Sequence, residues 1–130
     1  MRILLDTHVF LWYITNDRRL QKPMAEAIQA SDNEIYLSVV SVWEALVKFQ
    51  LGRLTLPDHP YEYLVARQEQ HRIASLPLER GATSRLLLLP THHNDPFDRM
   101  LICQAVYHDL TLATSDAHVQ RYPVKLLPTA

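Results

Sequence analysis

The sequence predicts an α/β fold, a mostly parallel sheet with helices on both faces. Two observations predict it. Short apolar runs alternate with helical stretches from one end of the chain to the other, and strands separated in that way by helices imply a parallel sheet covered twice. No repeat, low-complexity tract or Gly/Ser linker interrupts the pattern, so residues 1–130 are expected to form a single domain. That length buries a core without disulfide or metal staples.

The first element is a short apolar strand over residues 3–6, followed by a helix over about 8–14. Asn16-Asp17 breaks the pattern, and Pro23 suits the first turn of a helix reaching about Ala30, where proline's missing N–H has no helical partner to lose. Residues 35–38 read as the second strand. Residues 41–51 look helical and end near Gly52, a residue suited to a C-terminal cap. A further helix covers 60–71 and a third strand 73–76. Residues 79–89 read as helix stopped by Pro90, and 95–107 as the clearest helix, with Pro96 preset for its first position. Residues 112–114 make a fourth strand and 124–127 a candidate fifth.

A hydrophobic share of 48% with 21% charged residues is ordinary for a soluble globular protein. The lone Cys103 excludes an internal disulfide and a multi-cysteine zinc site, and suits a reducing cytoplasm, where the protein is expected. No targeting signal or membrane partner is expected: Asp6 interrupts the first apolar run, and no run approaches the ~20 residues of a span. The net charge of −1 does not advertise nucleic acid, which usually meets a basic surface. It weighs less against a metallonuclease, whose acids belong to the site and whose cations reverse the local field.

In open parallel sheets, ligands sit beyond the carboxyl ends of the strands. Asp6 ends the first strand, Asp116 follows the fourth, and Glu44 and Asp98 each fall in the first turn of a helix after a strand or loop. Four dispersed acids could therefore meet at one rim. Gathered there, they would repel unless cations neutralised them, and Mg²⁺ or Mn²⁺ with oxygen ligands are the obvious counterions. Each acid also has a plain structural reading. Asp6 could cap the helix after it, and Asp116 could be a turn acid. Ser41-Val42-Trp43-Glu44 is a good capping box, with Lys48 four residues beyond Glu44 for a routine helix ion pair. Asp95 suits the N-cap before Pro96. Asp98 lies one face round: Leu101, Ile102 and Ala105 follow it at helical spacing, which directs its carboxylate into the protein.

The runs Leu4-Leu5-Asp6-Thr7-His8, Ser41-Val42-Trp43-Glu44, His93-Asn94-Asp95-Pro96-Phe97-Asp98-Arg99-Met100-Leu101-Ile102 and Thr114-Ser115-Asp116 together resemble the PIN-domain ribonucleases, particularly their VapC-like toxin branch. Order and spacing agree over essentially the whole chain. The resemblance implies a three-layer sandwich with about five parallel strands, and acids holding one or two Mg²⁺ or Mn²⁺ ions. On matching positions Asp6 and Asp98 look like the principal metal ligands and Asp116 like the fourth acid. Glu44 resembles the second acid, often one step removed from the metal. Thr7 and Ser115 look like hydroxyls that orient ligands or water. Arg99 reads either as a phosphate contact or as a solvated helix charge. The implied activity is metal-dependent hydrolysis of RNA, with a homodimer and a small cognate antitoxin as partners. The alternatives are a non-catalytic binding module on the same fold, or an RNA-processing nuclease with no toxin role.

Other site chemistries fit less well. A haloacid-dehalogenase-type phosphatase needs a second acid where His8 stands, and a response-regulator receiver needs an acidic pair where Asp6 is single. The seven histidines show no i,i+4 pairing on one helix, and His92 and His93, adjacent on an extended loop, should point apart, so structural zinc is not expected. Trp43, Phe49, Leu51 and Leu54 read as core or dimer contacts rather than as a stacking platform for bases.

Overall fold

The computed structural model describes residues 1–128 of the chain. Strands β1 (Arg2–Leu5), β2 (Glu34–Ser38), β3 (Ala74–Leu76) and β4 (Thr111–Ala113) form one sheet in the order β3-β2-β1-β4, every neighbouring pair parallel. Around it pack helices α1 (Thr7–Ile14), α2 (Lys22–Gln29), α3 (Val39–Gln50), α4 (Pro60–Gln70), α5 (Arg80–Thr83) and α6 (Pro96–His108). Ile3, Leu4 and Leu5 of β1 are fully buried. Alternate residues point to opposite faces. Ile3 and Leu5 therefore join a core with Val9, Phe10, Met24 and Leu64, while Leu4 joins one with Ile102, Leu110, Leu112 and Tyr122. A strand buried on both faces is the middle layer of a sandwich, as the continuous apolar run predicted.

The candidate fifth strand shrinks to one parallel bridge, Leu112 to Leu126, held by Leu112 N–H to the Lys125 carbonyl and Leu127 N–H to the Leu112 carbonyl. The sheet therefore has four strands among the described residues. The helix expected over 79–89 is also shorter. It stops at Thr83, and a single 3₁₀ turn at Leu86–Leu88 follows. Leu87 and Leu88 are 93% and 74% exposed while Leu89 packs on the core, which is too little burial to hold the run helical, since tertiary packing stabilises most protein helices.

Helix α3 is capped by Ser38, three residues before the expected Ser41 cap. The Ser38 hydroxyl takes the Val40 amide proton and gives its own to Gln104 of α6, at 2.5 Å. There is no Ser41–Glu44 capping box: Ser41 and Glu44 are interior helical residues, both buried. The far end of α3 does follow expectation. Gly52 at φ +70° lets its amide reach the Phe49 carbonyl and the Arg53 amide reach Lys48's, closing a Schellman turn. Alanine there must adopt a left-handed conformation, so Gly52→Ala should lower stability by about 1 kcal/mol. An unchanged urea midpoint would show the turn to be dispensable.

Parallel register levels the carboxyl ends of three strands, since Leu5 pairs with both Leu37 and Ala113. The next residues along these strands, Asp6, Ser38 and Thr114, form one rim. No helix of the described residues is long and apolar enough to cross a membrane.

Candidate active site

Asp6 stands at the centre of that rim. Its amide continues the ladder to the Ala113 carbonyl, and its Oδ1 caps α1 by accepting the Val9 amide at 2.8 Å. Capping does not exhaust the residue: the side chain also faces a cleft of about 340 Å³ lined by His8, Trp12, Arg19, Ser115 and Asp116. Burial pushes the Asp6 carboxyl above the usual range, with Glu44 adding repulsion, while the Thr114 hydroxyl and Val9 amide oppose the shift.

Asp116 reaches the same cleft from the turn after β4. Its amide donates to the Thr114 hydroxyl, and its Oδ1 accepts the His118 amide at 2.7 Å, so it too shapes its own backbone. Ser115 is exposed beside it.

Glu44 lies behind Asp6 and is only 1% exposed. Its Oε1 receives the Thr7 hydroxyl at 2.6 Å and its Oε2 the Lys48 ammonium at 2.5 Å. Thr7 also contacts the Ser41 hydroxyl at 2.9 Å. Having one proton, Thr7 gives it to the carboxylate and accepts from Ser41. Both oxygens of Glu44 are thus engaged by the chain itself.

Asp98 is the third residue of α6, after the Asp95 cap, whose Oδ1 accepts the Phe97 and Asp98 amides. Leu101, Ile102 and Ala105 on its face are buried, as the spacing predicted. Burial first, then repulsion from Asp95, Glu44 and Asp6, pushes the Asp98 carboxyl up to about 7, against a hydrogen bond from His93.

Arg99 lies beside Asp98 in sequence but is engaged by the loop before α6. Its guanidinium donates to the carbonyls of Pro90, His93 and Leu86 and to the Tyr122 hydroxyl, while the side chain is half-buried. His92 and His93 do not point apart either, since both rings pack on Tyr122, at 4.9 and 5.4 Å. Trp43 and Leu51 are exposed, which removes them from the core. Sequence reasoning missed His93 and Tyr122 beside Asp98. The position of His93 five residues before the acid was visible, but Tyr122 carried no local signal.

The donor chemistry at this rim fits a hard divalent cation. The groups are carboxylate oxygens, and two of them, on Asp6 and Asp98, are held above their usual range by burial and by neighbouring acids. Among the described residues no three His, Cys, Asp or Glu side chains already stand as a closed ligand set.

A four-stranded parallel sandwich with acids collected at the carboxyl edge of its strands matches what the sequence motifs resembled. Residues 3–125 match the PIN domain family, and the chain belongs to it. Ribonuclease VapC22 of Mycobacterium tuberculosis is 26% identical over 120 residues, which cover 92% of this chain and 91% of the relative. The fold is similar to VapBC2 from Rickettsia felis, solved bound to a DNA fragment from their promoter, with TM-score 0.70 and 16% identity over 98% of each chain. It is also similar to VapBC-1 from nontypeable Haemophilus influenzae, with TM-score 0.62 and 17% identity over 93% of this chain and 91% of the other.

Proposed function

We propose that this chain is a single-domain, metal-dependent endoribonuclease, the toxin of a toxin–antitoxin pair. The observation that carries the reading is the grouping of Asp6, Glu44 and Asp98 at the rim where parallel sheets bind ligands, close enough that Glu44 raises the proton affinity of Asp6 and both acids raise that of Asp98. Likeness to a ribonuclease over nine-tenths of the chain supports it. Asp6, Asp98 and Asp116 would hold one or two Mg²⁺ or Mn²⁺ ions, drawing the carboxylates together. A bound ion supplies Lewis acidity, activating water for in-line attack on phosphorus and neutralising the leaving oxygen.

The protein's own contributions are positional. Asp6 is fixed by the Val9 amide and Asp116 by its own turn, so both carboxylates arrive with their backbones already rigid. Glu44, tied to Thr7 and Lys48, supplies a buried negative field behind Asp6. Ser115, exposed in the cleft, is placed to orient water or phosphate. Arg99 is assigned to loop support.

The antitoxin has a suitable surface beside the site. A groove of about 550 Å³ lined by apolar Leu11, Ile14, Leu54 and Leu56, by Arg53 and by the Arg19–Asp17 ion pair shares His8, Trp12 and Arg19 with the acidic cleft. A peptide seated there would cover the acids. The exposed Trp43, Leu51, Leu87 and Leu88 suit a homodimer contact. A cytoplasmic location follows from RNA as substrate.

Water attack leaves the 2′-hydroxyl unused and yields 5′-phosphate and 3′-hydroxyl ends. Purified protein should therefore cut structured RNA with Mg²⁺ or Mn²⁺, stop in chelator, and work poorly with the loosely coordinating Ca²⁺. Products ending in a 2′,3′-cyclic phosphate, or cleavage that survives chelation, would sink this mechanism. Growth arrest that persists in an Asp6→Asn, Asp98→Asn double variant would remove the toxin assignment.

A further inference from the structure

Tyr122 is buried, and its hydroxyl sits among four polar groups. The His93 amide and the Arg99 guanidinium both donate to it, each at 3.2 Å. His93 Nδ1 lies 2.9 Å away, and the His93 carbonyl at 3.4 Å. A phenol oxygen has two acceptor sites and one proton. The two N–H donors fill the acceptor sites, so the remaining proton goes to the nearest acceptor, Nδ1. An imidazole that accepts at Nδ1 carries its hydrogen on Nε2. That nitrogen stands 3.3 Å from Asp98 Oδ2.

We infer that Tyr122 and Arg99 fix His93 as an Nε2–H donor whose work is to position the Asp98 carboxylate. His93 and Tyr122 are positioning residues, assigned so by geometry alone, and the inference rests on the metallonuclease reading of Asp98. The arrangement has two consequences for that acid. Oδ2 is held in one direction by that Nε2–H. Oδ1 receives no hydrogen bond from the described residues and is left for a ligand role. Arg99 completes the device by tying the loop that bears His93 to α6, through the Pro90 carbonyl at 3.1 Å as well as Tyr122. The stack of His93 on His118, with planes 13° apart, and the tilted packing of His93 on the Tyr122 ring leave the imidazole little rotational freedom.

Partners that orient a ligating side chain typically change metal affinity about 10- to 100-fold when removed. The test is a calorimetric Mn²⁺ titration of the full chain, with the melting temperature measured alongside. Tyr122→Phe keeps the ring and deletes the oxygen, and should weaken Mn²⁺ binding about tenfold or more, beyond what its lowered metal-free melting temperature accounts for. His93→Gln places an amide N–H near the Nε2 position and should retain most of the affinity, whereas His93→Ala should lose it. Wild-type affinity in Tyr122→Phe, or equal losses in His93→Gln and His93→Ala, overturns the inference while leaving the nuclease intact. A weakened affinity that only tracks a lowered melting temperature overturns it too, by reducing both residues to packing. A wild-type protein that binds no Mn²⁺ overturns the metal-dependent reading of the site and this inference with it.

Discussion

Asp98→Asn is expected to melt higher than the unaltered protein above pH 7 while losing RNA cleavage. The folded carboxyl titrates near 7, against about 4 in an unfolded chain. Below pH 4 the group is protonated in both states. Between about 4 and 7 the unfolded chain releases the proton and the folded chain keeps it, so stability falls as pH rises, and the loss is complete above 7. This is the reverse of a salt-bridged aspartate. With the side chain only 14% exposed, the full effect is on the order of 2–4 kcal/mol, or roughly 10 °C in melting temperature for a chain of this size. Asparagine stays neutral and still accepts from His93, so its melting temperature should be flat across that window. Mn²⁺ should raise the melting temperature of the unaltered protein at pH 8 and leave the variant nearly unmoved. The rival assigns Asp98 to the positive end of α6, where a negative charge stabilises by about 0.3–1 kcal/mol. It predicts that Asp98→Asn melts lower at pH 8, with cleavage retained. The two accounts differ in sign, which a single pair of melting curves resolves.

Elements whose signals are local were legible in the sequence. Helix α6 announced itself through Asp95, Pro96 and an apolar face, and all three act as their residue types require. β1 was legible because a central strand buried on both faces is apolar throughout. The start of α3 was not, because two serines three residues apart compete for the cap, and pairing of β2 as far as Ser38 decides for the earlier one. The leucines at 86–89 looked helical because composition does not reveal whether a neighbour exists to bury them. At the rim, the places of Asp6 and Asp116 after strands and of Asp98 at a helix start were legible, whereas Glu44 sits in the second turn of α3 and not in its first. The supports of these acids were not legible. Arg99 follows Asp98 directly, yet one helical step of about 100° sends its side chain to a loop instead of to the cleft. Tyr122 meets His93 across 29 residues, a separation no periodicity encodes.

Lys48→Met should destabilise the protein by about 2–3 kcal/mol, several times what its sequence spacing suggests. An exposed i,i+4 pair contributes about 0.3–0.5 kcal/mol, and Glu44–Lys48 has that spacing. Its environment is different, because the Glu44 carboxylate is 1% exposed and the Lys48 side chain 30%. Removing the ammonium strands a desolvated charge. Breaking fully buried pairs costs about 3–5 kcal/mol, and partial exposure of the lysine trims that figure. Replacing both partners is the informative control. Glu44→Gln with Lys48→Met leaves no charge behind, and glutamine still offers an oxygen to the Thr7 hydroxyl. The double variant should recover most of the stability lost in Lys48→Met, the asymmetry expected of a buried pair. Cleavage should not recover with it, because the negative field behind Asp6 has gone. A double variant that regains both stability and activity would make Glu44 a structural residue held in place by its own salt bridge. If Lys48→Met costs under about 0.5 kcal/mol, the pair behaves as a surface pair, and the carboxylate's neutralising partner must be sought among the groups facing Asp6.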